Sequence, residues 1–285
     1  MENQNFNLKL FGGKIKIIVY TPKKDSQIKT KEIVQKGYIE ALRLQKIFNF
    51  FDEESELSLL NSKRKLKVSK DLLSVIKKAL EFSYLTNGEY DISLGKKILQ
   101  RKKGEQLKKI NSSYKDIEIK SNEILLKNKD ALLDLGSIAK GYITDKLGEF
   151  LKKEGLDEFI IDSRGDILVS GKNEYLIGVQ HPRESKTLFK LKLKNEAVAT
   201  SGDYNQFDKI FDKSHIINQK EIISITVIAP KLEEADAYAT ALFVASEKER
   251  NELIKKNKNV KVLIMDKKLN QNMFNNFKEK IYNEY

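Results

Sequence analysis

Apolar and polar positions alternate in two short runs near the start of the chain, Phe6, Leu8, Leu10 and then Ile15, Ile17, Val19, separated by Phe11-Gly12-Gly13. A period of two marks strands with one buried face, and the glycines between them predict a bend or hairpin. Over residues 28–50 the spacing becomes helical, through Ile33, Val34, Tyr38, Ala41, Leu42, Leu44 and Phe48. The acidic, serine-bearing stretch over residues 50–61 reads as a loop whose serines can cap a following turn. Ser69 or Asp71 opens an amphipathic helix through Leu72, Leu73, Val75, Ile76, Ala79, Leu80 and Phe82, which stops near Asn87-Gly88. Residues 100–111 are basic, polar and exposed in character, and the alternation over 114–127 predicts a hairpin around Ser121-Asn122.

At Leu133-Asp134-Leu135-Gly136-Ser137 a strand end turns through glycine into a helix that runs through Ile143, Leu147, Phe150 and Leu151 to Gly155. Strands dominate the second half: 159–162, 167–169, 175–179, 187–193, a strand ending in Thr200-Ser201-Gly202-Asp203, and the apolar run 222–229 stopped by Pro230. A helix begins near Glu233 with its acids at the positive end of the dipole. A short helix over 247–255, a strand over 260–265 and a polar tail complete the order. No internal repeat or low-complexity linker interrupts it, so the expectation is α+β, one compact unit over 1–285 with a core of about 5–265 and a tail over 266–285.

Composition narrows the function classes. The chain has 285 residues, 40% hydrophobic and 33% charged, enough to bury a large core. No apolar run approaches the roughly eighteen residues of a membrane span. The first residues lack a basic region followed by an apolar core, so the location reads as cytoplasmic, or extracytoplasmic with a leader removed. Zero cysteines exclude disulfides, thiolate metal sites, a cysteine nucleophile and a lipid-modified cysteine. The net charge of +12 comes mostly from scattered lysine, with arginine only at positions 43, 64, 101, 164, 183 and 250. Base and phosphate recognition favours the arginine fork, so no nucleic-acid partner is expected; the lysines read as a solvated surface that attracts anions.

Several stretches carry candidate chemistry. The turn at residues 133–145 presents backbone N–H groups beside Asp134 and Lys140, where a phosphate can rest, although such turns also occur for packing alone. Asp236 and Thr240 stand four apart on a helix, so their oxygens share a face and can hold Mg²⁺; the plainer reading has Asp236 on the helix dipole and Thr240 in the core. His215 begins a strand, as a base for a hydroxyl proton or as a structural imidazole, and His181 precedes a proline as a turn residue. Thr200-Ser201-Gly202-Asp203 is a hydroxyl-rich ligand loop or an Asx turn.

Taken together, Ser55-Glu56-Leu57-Ser58 with Asn61, Gly88-Glu89-Tyr90-Asp91, Asp134-Leu135-Gly136-Ser137-Ile138-Ala139-Lys140-Gly141-Tyr142, Gly165-Asp166-Ile167, Gly178-Val179-Gln180-His181-Pro182, Thr200-Ser201-Gly202-Asp203-Tyr204, His215-Ile216-Ile217 and Ala235-Asp236-Ala237 with Thr240 resemble, in order, the ApbE family of FAD:protein FMN transferases. The resemblance runs from about Phe11 to Ile264. It implies a T-fold-like unit of mixed and antiparallel sheets with packed helices and an FAD cleft between two halves. The implied reaction is Mg²⁺-dependent, with Mn²⁺ as an alternative ion. FAD is cleaved at its pyrophosphate, FMN passes to a threonine or serine hydroxyl of a target flavoprotein bearing an Asp-x-x-Thr/Ser-Gly-Ala motif, and AMP leaves.

Carried over by position, the resemblance implies metal oxygens from Asp236, Thr240 and the Ser137 backbone carbonyl. It implies FAD contacts from Phe11, Phe51, Glu89, Tyr90, Asp91, Asp134, Lys140, Thr200 and Ile217. His215 becomes the candidate base and Asp203 an orienting group. The chain departs from the family pattern at Phe11-Gly12-Gly13, at Ser137, at Ser163-Arg164 and at Asn218-Gln219, none of which removes an implied metal side chain. Rival readings are an FAD pyrophosphatase, with water as acceptor, and a non-catalytic flavin-binding protein. The chain has no acceptor motif of its own.

Overall fold

The computed structural model describes residues 2–21, 27–102, 104, 110–203 and 221–282. Its first strands, β1 (Glu2–Leu10) and β2 (Gly13–Thr21), pair antiparallel as far as Leu10 opposite Gly13. Only Phe11 and Gly12 remain for the turn, with φ of 55° and 70°. This is the mirror-image two-residue turn whose twist suits paired strands, and here a phenylalanine occupies a left-handed position that glycine takes more easily. Helix α1 (Gln27–Phe48) follows, then α2 (Glu56–Lys63), β3 (Lys65–Lys67), α3 (Lys70–Leu85) and α4 (Gly95–Lys102). The stretch expected to be a loop after Phe50 is therefore partly helix. Ser55 caps α2 by accepting the Ser58 N–H at 3.0 Å, and Leu57, Leu60 and Asn61 turn inward. A helix that short offers too few turns for its period to stand out.

Strands β4 (Ile117–Lys120) and β5 (Glu123–Leu126) make the expected hairpin and join β3 in a small sheet. Next come α5 (Ala139–Lys153), β6 (Phe159–Ser163), β7 (Asp166–Ser170), β8 (Tyr175–Gln180), β9 (Thr187–Leu193), β10 (Ala197–Gly202) and β11 (Ile222–Ala229). The last elements are α6 (Leu232–Val244), α7 (Glu247–Lys256), β12 (Lys261–Asp266), β13 (Gln271–Phe274) and β14 (Ile281–Tyr282). The main sheet runs β1-β2-β6-β7-β10-β11-β12-β13 with every neighbouring pair antiparallel.

One face of this sheet packs on the helices through Ile15, Ile17, Val19, Phe159, Ile161 and Val227. The other is covered over β7, β10, β11 and β12 by the sheet β14-β9-β8, through Val169, Ile177, Leu191, Val198, Ile228 and Phe277. Strand β11 lies between both layers, which is why it is mostly apolar and buried from Ile223 to Ala229, Ser224 and Thr226 included. Residues 266–282 depart from the expected polar tail. β13 pairs with β12, β14 pairs with β9, and Phe277 is fully buried. Burying that one ring stabilises by about 2 to 3 kcal/mol. Its signal is hard to read because single apolar residues are spaced among asparagine and lysine.

Candidate active site

Backbone pairing between distant segments creates the site. The Ile92 and Ser93 carbonyls accept from the Asp134 and Leu132 N–H groups at 2.9 Å, and Gly95 N–H donates to the Leu132 carbonyl at 2.8 Å. From α2, Asn61 pairs its amide with both the N–H (2.7 Å) and the carbonyl (2.9 Å) of Leu133. The Arg64 guanidinium donates to the Ala131 carbonyl at 2.6 Å. Asp134 is thus delivered at a fixed position, where one carboxylate oxygen accepts the Gly136 N–H at 3.2 Å. Glu89, Tyr90, Asp91, Asp134, Ser137 and Thr240 together line one pocket. The Tyr90 hydroxyl meets the Ser137 hydroxyl at 2.7 Å, and Thr240 meets the Ser201 hydroxyl at 3.2 Å.

Helices α5 and α6 meet at their N-termini beside this pocket, and neither is capped by a side chain of its own N-cap residue. Asp145 of α5 accepts the Leu232 and Glu233 N–H groups of α6, both at 2.9 Å, while Asp236 of α6 accepts the Gly141 N–H of α5 at 3.3 Å. Gly141 permits this approach: a Cβ there would lie 2.5 Å from the Leu232 carbonyl oxygen. Asp236 is buried, and burial pushes its carboxyl up to about 7, with Lys140 opposing and Asp166 adding to the rise. Lys140 pairs directly with Asp166, whose other oxygen accepts the Thr200 N–H at 3.3 Å. Burial disfavours charge on Lys140, yet Asp236 and Asp166 hold its pKa above the usual value.

This arrangement fits a hard divalent cation. At the buried Asp236 the charges of Asp166 and Asp145 disfavour ionisation, and Lys140 opposes them. Among the described residues no group of three or more His, Cys, Asp and Glu side chains could hold a metal. Asp236 would therefore need neutral oxygens beside it, and the Thr240 hydroxyl and a Ser137 carbonyl are of the right kind; Mg²⁺ commonly takes few carboxylates and completes its shell with phosphate and water.

The expected site residues fall into four groups. Glu89, Tyr90, Asp91, Asp134, Ser137 and Thr240 share the first pocket; Lys140 and Thr200 line a neighbouring one with Arg164 and Asp166. Both Asp91 oxygens are taken by backbone N–H groups, of Ser93 at 2.8 Å and Tyr114 at 2.9 Å, so this carboxylate holds its own loop together. Phe11 is tied to the second pocket by Arg164, which donates to its carbonyl at 2.6 Å. Phe51 is exposed and stands edge-on to Phe50, whose ring lies against the pocket residue Gly95. Asp203 forms a two-armed ion pair with Arg183 at 2.7 and 2.8 Å. His215 and Ile217 lie outside the described residues. Sequence reasoning assigned no role to Asp166, although Gly165-Asp166-Ile167 was among its motifs, and none to Asp145, which carried no local signal because its partners lie on another helix.

With this geometry in view, the ApbE family model matches residues 11–264. A relative from Buchnera aphidicola subsp. Schizaphis graminum, described as FAD:protein FMN transferase, is 27% identical over 287 aligned positions, covering 89% of this chain and 82% of the relative. The ApbE protein of Thermotoga maritima superposes with a TM-score of 0.86 at 24% identity over 99% of this chain and 100% of that one. The flavin transferase ApbE of Vibrio cholerae does so with 0.83 at 22% identity over 98% and 99%. Both structures share the fold. The family model spans nearly the whole chain, motifs and both pockets included, and the chain belongs to the ApbE family.

Proposed function

We propose that this chain is a Mg²⁺-dependent FAD:protein FMN transferase. A threonine or serine hydroxyl of a target flavoprotein attacks the FMN phosphorus of FAD, an O–P bond forms, the pyrophosphate bridge breaks, and AMP carries away the bridging oxygen. Asp236, Thr240 and the Ser137 carbonyl would hold the ion, which when bound neutralises phosphate charge and polarises the bridge. Lys140 sets a fixed positive charge near the diphosphate, and the Tyr90 and Ser137 hydroxyls orient the pocket wall. Asp134 and Glu89 border the pocket, Phe11 and Phe51 offer aromatic surface to the flavin, and Thr200 contributes a hydroxyl. His215 is the candidate base for the acceptor hydroxyl, Asp203 a candidate orienting group for the site, and Ile217 a candidate FAD contact.

The observation that carries the reading is that Tyr90, Asp134, Ser137 and Thr240, from three separate segments, border one pocket one helical turn from the buried Asp236. The test is incubation with FAD, with and without Mg²⁺, and with and without a flavoprotein bearing the acceptor motif. The expected outcome is UV-fluorescent acceptor that survives a denaturing gel, together with AMP. AMP without labelled acceptor would make the chain a pyrophosphatase, and FAD binding without AMP would make it a carrier.

A further inference from the structure

Two hairpin tips sit side by side at one end of the main sheet. The β1–β2 tip is Phe11-Gly12 and the β6–β7 tip is Arg164-Gly165, brought together because β2 runs beside β6 with Lys16 opposite Asp162. Both tips are left-handed, with φ of 55° at Phe11, 70° at Gly12, 64° at Arg164 and 99° at Gly165. Each tip thus holds a side chain, Phe11 or Arg164, in a region that glycine adopts more easily, and such a residue persists only where its surroundings over-determine it. Residues 11–13 and 163–164 are also two of the places where the chain departs from the family pattern, and here they meet in space.

Phe11 is held from both sides. Its N–H donates to the side-chain oxygen of Gln45 on α1, and its carbonyl accepts from the Arg164 guanidinium at 2.6 Å. The Arg164 side chain reaches that carbonyl by lying across Gly13, where a Cβ would come within 2.8 Å of Nε and 3.1 Å of Cδ and Cζ. Gly12 has the positive φ that the turn needs, whereas Gly13 sits in β2 and supplies room for the guanidinium. Arg164 also lines the pocket of Lys140, Asp166 and Thr200, and Asp166, two residues on, carries the Lys140 ion pair. The Phe11 ring is half-buried against the core. Backbone bonds from two distant elements therefore fix one strained aromatic residue beside that pocket.

We infer that Arg164 is a positioning residue for FAD: seated over Gly13, its guanidinium locks the Phe11 turn beside the Lys140 pocket in the conformation that meets the dinucleotide. The inference deepens the transferase reading and rests on its proposed FAD contact at Phe11. A wall fixed in advance avoids the ordering cost of binding, so its release weakens FAD affinity more than it slows the bound complex. Two variants release the turn in different ways. Gly13→Ala keeps Phe11 and the Arg164 charge and pushes the guanidinium aside, because the atoms in the way are the far end of a flexible side chain. Arg164→Gly removes the guanidinium and puts at φ 64° the residue best suited to it.

FAD binding to the full chain is read by flavin anisotropy in EDTA and, by rapid mixing, with Mg²⁺. AMP release at saturating FAD and the thermal midpoint are read separately. The dissociation constant for FAD is expected to rise about tenfold in each variant, while AMP release at saturating FAD stays within about threefold of wild type and the midpoint changes little. In G13A/R164G the two losses should not multiply, because the methyl group then has no arginine to displace. Unchanged FAD affinity in either variant, losses that multiply in the double variant, or a midpoint that falls in step with affinity overturns the role of Arg164 and leaves the transferase reading standing. Wild-type protein that binds no FAD with or without Mg²⁺ sinks both.

Discussion

Asp145 and Asp236 exchange helix caps: each stands on one of two packed helices and accepts backbone N–H groups from the first turn of the other. A carboxylate at a helix N-terminus both satisfies orphan donors and opposes the positive end of the dipole. The exchange welds α5 to α6 where the proposed ion site lies, so stability and function meet at the same few atoms. The two acids divide these jobs differently, and substitution should separate them.

Asp236→Asn keeps an oxygen for the Gly141 N–H and removes the charge. AMP release from FAD is expected to fall by about a hundredfold or more, in line with loss of an electrostatic group at a phosphoryl site, while the thermal midpoint changes little. Steady-state turnover across a Mg²⁺ titration checks this, and turnover close to wild type would remove Asp236 from the metal assignment.

Asp145→Ala strips the α6 N-terminus of its acceptor for two N–H groups. The expected loss is about 1 to 2 kcal/mol, the usual range for a lost N-cap, read from urea unfolding. Turnover per folded molecule should fall far less than in the Asp236 variant.

Gly141→Ala would drive a methyl group into the α6 backbone, with Glu233 N and Cα at 2.7 Å. Backbone cannot rotate away as a side chain can, so the helices must separate, at about 1 to 3 kcal/mol. Because separation also shifts Asp236, Mg²⁺-dependent turnover should drop together with stability. An unchanged melting point would mean the two helices have slack that the contact distances deny.

Burial raises the carboxyls of Asp145 to about 6, Glu233 to about 7 and Asp236 to about 7. Each binds its proton more tightly in the folded than in the unfolded chain, so the folded state holds the extra protons in the window between its ordinary value and these raised values. Their contribution to stability is therefore greatest at the acid end and is lost as pH rises through about 6 to 7. Without divalent ions, the urea midpoint is expected to fall from pH 5 to pH 8, less steeply in Asp236→Asn, and added Mg²⁺ should recover it at pH 8 by binding the ionised form. A midpoint that rises over this range in EDTA would contradict the burial of these acids.

Local pattern determined a good deal by itself. The alternation in residues 6–19 fixed a hairpin, the periodic leucines and isoleucines fixed α1 and α3, and the start of α3 was narrowed to Ser69 or Asp71, of which Ser69 is the cap, because capping is a local event. The order of short motifs was enough to indicate the family. Tertiary structure alone decided what lies next to what: Asp166 reaches Lys140 only because β7 runs beside β10 over the end of α5, and Asp145 reaches α6 only because Gly141 lets two helices touch. It also decided that residues 271–282 finish two sheets, since Phe277 has meaning only inside the cavity that β9 and β12 leave for it. Period and capping depend on neighbours a few positions away and are written in the chain, whereas charge pairing and close packing depend on distances in space, which many sequences of the same pattern would leave open.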